Sequence, residues 1–415
     1  MTLRTVSWAE VALVAVVLLS LIAARNALLP WETNDFVYCL EPWTAYLAQH
    51  GFSGLGDSFA NYNMPYLYLL YVGTLTPFDA LTWVKLVGLV SDLALAVGCM
   101  TLIRRFGAGR TGALLVGGLV LLLPEVLLNS AAWGQADSTY GALVVWTIVA
   151  AMANREVVTW AILGLALSFK LQAAFVLPLI VVVHLASRWK LRSALVAAIV
   201  VIAADVPALI AGRSPISLAS IYLDQANTPA DLTMNAPSLY ALFPESHHDL
   251  IKSAGLYFAI AVMSVLTALV LRASRRYGLS MQGALLFATS LTLLAPWVLP
   301  LMHERYFFVG NVLLFLCAFL RRRLVAYALA AQLIALLAYV PFLFKADPVL
   351  SLGVTAIAEG VIIAFVLREL FRETGALRGL APISGIGRMI APPSGTTMSH
   401  TEGPRTRSLR GAEQG

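Results

Sequence analysis

The chain is poor in charge. Of its 415 residues, 12% are Asp, Glu, Lys or Arg and 60% are hydrophobic, whereas a soluble domain carries roughly 25% charged residues. With a mean hydropathy of +0.81, this excludes a soluble globular protein and leaves a polytopic membrane protein. Cysteine is scarce too. Cys39, Cys99 and Cys317 are the whole complement, and the absence of CxxC or metal spacing argues against a disulfide framework or a cysteine metal centre. No glycine-rich phosphate loop or dinucleotide-type pattern is present, which argues against a sugar-nucleotide donor held in a soluble α/β site. No internal repeat marks two related halves of the kind found in many transporters. The net charge is +6, but in a membrane protein the side that carries the charge matters more than the sum, so no nucleic acid partner is implied.

What the chain has in abundance is apolar runs, near 8–28, 79–103, 111–128, 137–153, 157–168, 171–187, 192–212, 254–272, 281–300, 305–320, 324–344 and 348–369. They predict an all-α, polytopic transmembrane helical bundle of about twelve spans, with a range of roughly eleven to thirteen. The two runs flanking Lys170 are short for a full crossing, which predicts broken or tilted helices there. Arg4 and the run from Val11 to Ala24 imitate a signal peptide, but the many later runs favour an uncleaved first span. One integral domain is expected over 1–370. Residues 371–415, rich in Gly, Pro, Ser, Thr and Arg, are expected to form a disordered cytoplasmic tail whose basic residues meet at most lipid headgroups.

Basic residues set the orientation. With the amino terminus cytoplasmic, five short inner connections hold Arg104, Arg105 and Arg110; Arg155; Arg188, Lys190 and Arg192; Arg272, Arg275 and Arg276; and Arg321, Arg322 and Arg323, as the positive-inside rule requires. The outer connections are then two long loops, 29–78 and 213–253, and short ones at 129–136, around 169–170, at 301–304 and at 345–347. Trp31, Trp43, Tyr46, Tyr62, Tyr66, Tyr68 and Tyr71 suggest an aromatic belt at the headgroups, with interfacial helices near 40–50 and 66–75.

The polar segments of chemical interest all fall outside. Met302-His303-Glu304-Arg305-Tyr306-Phe307-Phe308 sets three ionisable groups between two apolar runs, where a bilayer makes them costly. Arg305 offers a planar fork for phosphate oxygens and His303 a switchable donor, while a Glu304–Arg305 interfacial salt bridge is the plain alternative. HExxH zinc chemistry is ruled out, because Phe307 stands where the second histidine belongs. Asp35, just beyond the first span, is a candidate general base, against the plainer reading of an exposed structural carboxylate. In Trp133-Gly134-Gln135-Ala136-Asp137-Ser138 the polar residues either cap the next helix or hydrogen-bond a polar substrate through Gln135 and Asp137. Lys170, in Ser168-Phe169-Lys170-Leu171-Gln172, either snorkels or meets a lipid phosphate. Asn235 opens a turn in the second long loop. Asp92, Glu125 and Asp205 lie within apolar runs and each needs a partner. His247 and His248 are given no role.

Together these segments resemble the GT-C integral-membrane glycosyltransferases: Asp35, Trp133 to Ser138, Ser168 to Gln172, Asn235-Ala236-Pro237-Ser238-Leu239-Tyr240 and Met302 to Phe307, in the family's order up to about residue 345. The similarity is to the bacterial branch related to the mannosyltransferases of GPI-anchor assembly, and more distantly to the eukaryotic glucosyltransferases that extend lipid-linked oligosaccharide. The resemblance implies a GT-C-like bundle that transfers a hexose, mannose favoured, from a polyprenyl-phosphate-linked donor to a hydroxyl of a lipid-linked or envelope glycan acceptor. It implies Asp35 as base, with His303, Arg305 and Lys170 on the donor phosphate. Glu32, Trp133, Gln135, Asp137, Gln172, Asn235 and Glu304 are the expected substrate-binding or supporting residues.

Many relatives carry a second acid beside the catalytic one. Here Asn34 stands there, and Glu32 shares a face with Asp35 only if the segment is helical. No cofactor and no metal ligand set are therefore expected, with a divalent metal left open. The implied location is the bacterial inner (plasma) membrane, with amino terminus and tail cytoplasmic and the site facing the periplasm or exterior. The competing classes are a polytopic transporter or lipid-linked glycan flippase, and a lipid-linked glycan polymerase or ligase.

Overall fold

A computed structural model describes residues 7–227 and 231–378. Contacts divide the chain into Met1–Ala376 and Leu377–Gly415. All of the second unit beyond Arg378, and with it residues 379–415 of the expected tail, lies outside the described residues.

Helices dominate the first unit. The helix α1 (Trp8–Leu28) leads into the first long loop, which contains α2 (Glu41–His50) and α3 (Met64–Thr74). Then come α4 (Ala80–Arg105), α5 (Arg110–Leu122), the short α6 (Pro124–Leu127), α7 (Asp137–Met152), α8 (Glu156–Phe169), α9 (Leu177–Ala186) and α10 (Leu195–Ile210). In the second long loop lies α11 (Pro215–Asn227), and the chain continues through α12 (His248–Tyr277), α13 (Met281–Val298), α14 (Phe308–Leu320), α15 (Val325–Phe344) and α16 (Leu352–Thr374). The last helix passes the expected domain limit of 370, and Leu370 and Thr374 at its end are still buried.

Local chemistry explains the boundaries. Ser7 and Glu10 form a reciprocal capping box at the start of α1, satisfying two otherwise orphaned amides. Asp79 caps α4 by accepting from the Thr82 amide at 2.8 Å. Pro124 forces Leu123 into an extended conformation (ψ 129°), because the pre-proline residue avoids the α region. The axis bends there by 52° between Arg110–Leu122 and Pro124–Trp133.

Six helical stretches are long and apolar enough to cross a membrane: Trp8–Leu28, Ala80–Arg105, Leu191–Ile210, His248–Tyr277, Met281–Val298 and Arg322–Phe344. The bent pair makes a seventh if it counts as one span. The remaining expected runs are helical as well, but α7, α8 and the stretch Leu171–Ala186 are shorter, and α14 has 13 residues. A short element pays no penalty when it is enclosed by protein rather than lipid. In α13 83% of the spanning window is buried, against 11% in α1 and in Leu191–Ile210, so α13 is central and the other two are peripheral.

The one departure from all-helical structure among the described residues is a short parallel pairing of β1 (Thr233–Met234) with β2 (Met302–His303). An isolated antiparallel bridge adds Asn235 to His303. These contacts tie the second long loop to the segment that precedes α14. The first loop is also tied to the bundle. Helices α2 and α3 form close to where they were expected, but Tyr66 is buried. The Tyr68 hydroxyl donates to the Ala204 carbonyl at 3.0 Å and accepts from the Ala208 amide at 3.1 Å. It thus inserts into the backbone ladder of α10 beside Pro207, a break that a side-chain hydroxyl can satisfy. The expected aromatic belt is corrected at these two tyrosines, which serve packing between loop and bundle.

Candidate active site

Three connections meet around Arg305. The first is the exit from α1. The Lys85 ammonium, buried in α4, donates to the carbonyls of Leu28, Leu29 and Trp31 at 2.7 Å each. A cation at a helix carboxy terminus satisfies orphan carbonyls and the negative end of the dipole, and it fixes where the chain leaves α1. The Thr33 hydroxyl then donates to the Trp133 carbonyl at 3.1 Å. Residues 31–33 are not helical and helix resumes at Asn34, so the condition for Glu32 to share a helical face with Asp35 is not met. Glu32 is exposed and is not among the carboxylates paired with Arg305.

The second connection is the wide turn from Leu128 to Trp133. Gly134 ends it with φ +74°, a left-handed conformation that glycine adopts without strain. Trp133, stacked on Phe342 at 4.5 Å and edge-on to Tyr339 at 5.0 Å, donates its indole N–H to Asp35 Oδ2 at 2.9 Å. Gln135 Nε2 donates to the same oxygen. Both side chains hold the carboxylate and so act as supports. Asp137 does not cap α7, where no side-chain cap is made. It is fully buried, accepts from Asn129 Nδ2 at 2.8 Å and pairs with Lys170. Lys170 is accordingly buried rather than snorkelling. Burial lowers its ammonium pKa, and Asp137 opposes that shift.

The third is the segment before α14. Arg305 lies 3.7 Å from each of Asp35, Asp137 and Glu304, with its guanidinium 5.3 Å from the Trp133 ring centroid. The three carboxylates differ in access. The Asp35 side chain is 29% exposed, Glu304 5% and Asp137 0%. Asp35 is therefore the most accessible of the three. His303 lies 3.9 Å from Glu304 and edge-on to Tyr306 at 5.3 Å.

Burial, reinforced by Arg305 and Lys170, lowers the His303 imidazolium from 6.5 to about 3. His303 is thus a neutral hydrogen-bonding group at physiological pH, not a cation. Burial raises the Glu304 carboxyl from 4.5 to about 7, against the pull of Arg305. The signs are opposite. Folded Glu304 holds its proton more tightly than the unfolded chain, so its contribution to stability is complete below 4.5 and lost as pH rises through 7. The His303 contribution is complete above 6.5 and lost as pH falls toward 3. These two groups together predict thermal stability that is flat between 4.5 and 6.5, where the slopes cancel, and that falls on either side. Melting curves across pH check this, and Glu304→Gln is expected to remove the alkaline loss and to turn the plateau into a rise from acid pH up to 6.5, the His303 contribution alone.

Of the other expected residues, Asn235 reaches the site through its backbone bridge to His303, with φ +54°. Gln172 is half-buried in the turn after Lys170, with a side-chain oxygen that makes no hydrogen bond among the described residues. Tyr62 and Tyr66, read from sequence as belt residues, pack ring to ring at 4.9 Å. Burial drives both phenol pKa values up, and the Asp137 charge adds to the shift. Asn129, Thr33 and Lys85 were not singled out. Asn129 stands in the same turn as Trp133, a usable signal, whereas nothing local marks Lys85.

Two of the three acids within apolar runs find partners elsewhere. Asp92 pairs with Arg25 and accepts from Ser130 Oγ at 2.6 Å. Glu125 accepts from Asn311 at 2.9 Å and Gln332 at 3.1 Å. Among the described residues no group of three or more His, Cys, Asp or Glu side chains is arranged to hold a metal ion. Compared with protein-family models and with curated proteins, the chain matches none.

Proposed function

We propose that the chain is a membrane glycosyltransferase that moves a hexose, mannose by resemblance, from a polyprenyl-phosphate-linked donor to an acceptor hydroxyl in one inverting displacement. The observation that carries the proposal is the asymmetry around Arg305. One accessible carboxylate, Asp35, is held on a single oxygen by two neutral N–H donors. The guanidinium beside it is shared with two carboxylates that are nearly or fully buried.

In this reading Asp35 takes the proton of the acceptor hydroxyl as its oxygen bonds to the anomeric carbon. The bond from that carbon to the phosphate oxygen breaks, and Arg305 stabilises the charge that the lipid phosphate gains. Lys170, committed to Asp137, sets the position of Arg305 and adds positive potential. His303 contributes a neutral hydrogen bond. Glu304, when protonated, relieves the negative charge that would oppose phosphate entry. A single accessible carboxylate fits single displacement, since a retaining route wants a second one at close range.

The GT-C-like arrangement of about twelve membrane elements, cytoplasmic termini and an outward-facing site in a bacterial inner membrane belong to the same reading, supported by the basic inner connections. Purified protein in liposomes distinguishes transfer from transport. Labelled sugar is expected to move from polyprenyl phosphate to acceptor glycan, whereas counterflow or lipid flipping without transfer would replace this reading with the transporter one.

A further inference from the structure

A second polar site lies at the other end of α15. Tyr339 and Phe342 of this helix pack on Trp133, whereas Tyr327 stands twelve residues earlier, about 18 Å along the axis at the usual rise. There a cavity of about 360 Å³ opens between α15 and α16, within the size range of ligand sites. Arg323, Arg368 and Arg372 line it with one carboxylate, Glu369. Tyr327 and Phe365, stacked at 4.4 Å, form its aromatic wall, with Arg368 5.8 Å from the Phe365 centroid.

The acid is already in use, because Glu369 bridges Arg321 and Arg372 at 3.3 Å each. Arg323 and Arg368 enter no ion pair among the described residues, so the cavity is cationic. Arg323 and Leu324 also form the turn that opens α15, which adds the positive end of the helix dipole. Further along the same two helices Leu329, Leu333, Ile357 and Val361 are exposed, as apolar residues facing lipid are.

We infer that this cavity binds the phosphate headgroup of an anionic membrane lipid, with the acyl chains lying along those exposed residues. The fork of an arginine pairs with phosphate oxygens, and basic pockets between membrane helices suit such headgroups. The same chemistry would accept free phosphate, so the test needs both probes. The inference does not depend on glycosyl transfer.

Retention of phosphatidylglycerol and phosphatidylcholine by the purified full chain is measured by native mass spectrometry, with inorganic phosphate as competitor. Phosphatidylglycerol is expected to be retained preferentially. Arg323→Ala and Arg368→Ala are each expected to weaken it about fivefold, since each basic residue near an anionic lipid contributes on the order of 1 kcal/mol. Both residues are exposed and outside any ion pair, so melting temperature should hold. Arg104→Ala with Arg105→Ala should leave retention unchanged. Equal retention of both lipids, no effect of the pocket variants, or an equal loss in the control would overturn the inference. Full displacement of the lipid by millimolar inorganic phosphate would instead assign the cavity to a free anion.

Discussion

Replacing Asp35 with Asn is expected to lower sugar transfer by about 10²–10⁴-fold, the range for loss of a general base, while the protein stays folded. The argument rests on how little else the substitution changes. The carboxamide oxygen of Asn can still accept from the Trp133 indole and from Gln135 Nε2, which both bond Oδ2 of the native residue. What is lost is the capacity to take a proton and one negative charge 3.7 Å from Arg305. Arg305 keeps Asp137 and Glu304 as counter-charges. The loss should fall on kcat with little change in donor KM, since the base acts in the transition state. Initial rates on purified protein, with melting curves as the folding control, check it; full retained activity would remove Asp35 as base.

The second large effect is expected for Arg305→Ala, a loss of about 10²–10³-fold from removing the group that the proposed function sets on the developing phosphate charge. A drop in melting temperature should accompany it, because the guanidinium is the shared neighbour of three carboxylates. Removing one partner of a buried ion pair leaves the others uncompensated. Arg305→Lys separates the two consequences. It restores a positive charge but not the planar fork, so stability should recover further than activity. If Arg305→Lys were fully active, Arg305 would be a counter-ion for Asp35 and Asp137 and no phosphate ligand.

The helices were legible because apolar runs announce themselves locally, and α1, α4, α7 and α13 begin within one residue of the runs that predicted them. Their lengths as spans were less legible. The runs that became α7 and α14 look like the others in sequence, and it is enclosure by neighbouring helices that lets them be short, whereas the shortness of α8 and α9 already shows in the two runs flanking Lys170. In the site, Asp35, Gln135 and Arg305 stood out as polar residues at the ends of apolar runs. Their arrangement did not, since Asp35 and Arg305 are 270 positions apart. For Asp137 and Lys170 the plain alternatives, cap and snorkel, do not hold, because each is satisfied by the other across 33 positions. Lys85 looked like an ordinary residue of α4, and only the fold brings the end of α1 to its ammonium. Glu32 illustrates the opposite case, a helical face shared with Asp35 by spacing that the non-helical backbone at 31–33 does not provide.

The most direct test of the central claim offers purified protein two donors carrying the same labelled hexose, one on polyprenyl phosphate and one on a nucleotide diphosphate. Transfer to the acceptor hydroxyl from the lipid donor alone, with inversion at the anomeric carbon, is the predicted result. Transfer from the nucleotide donor, or no transfer from either, would contradict it.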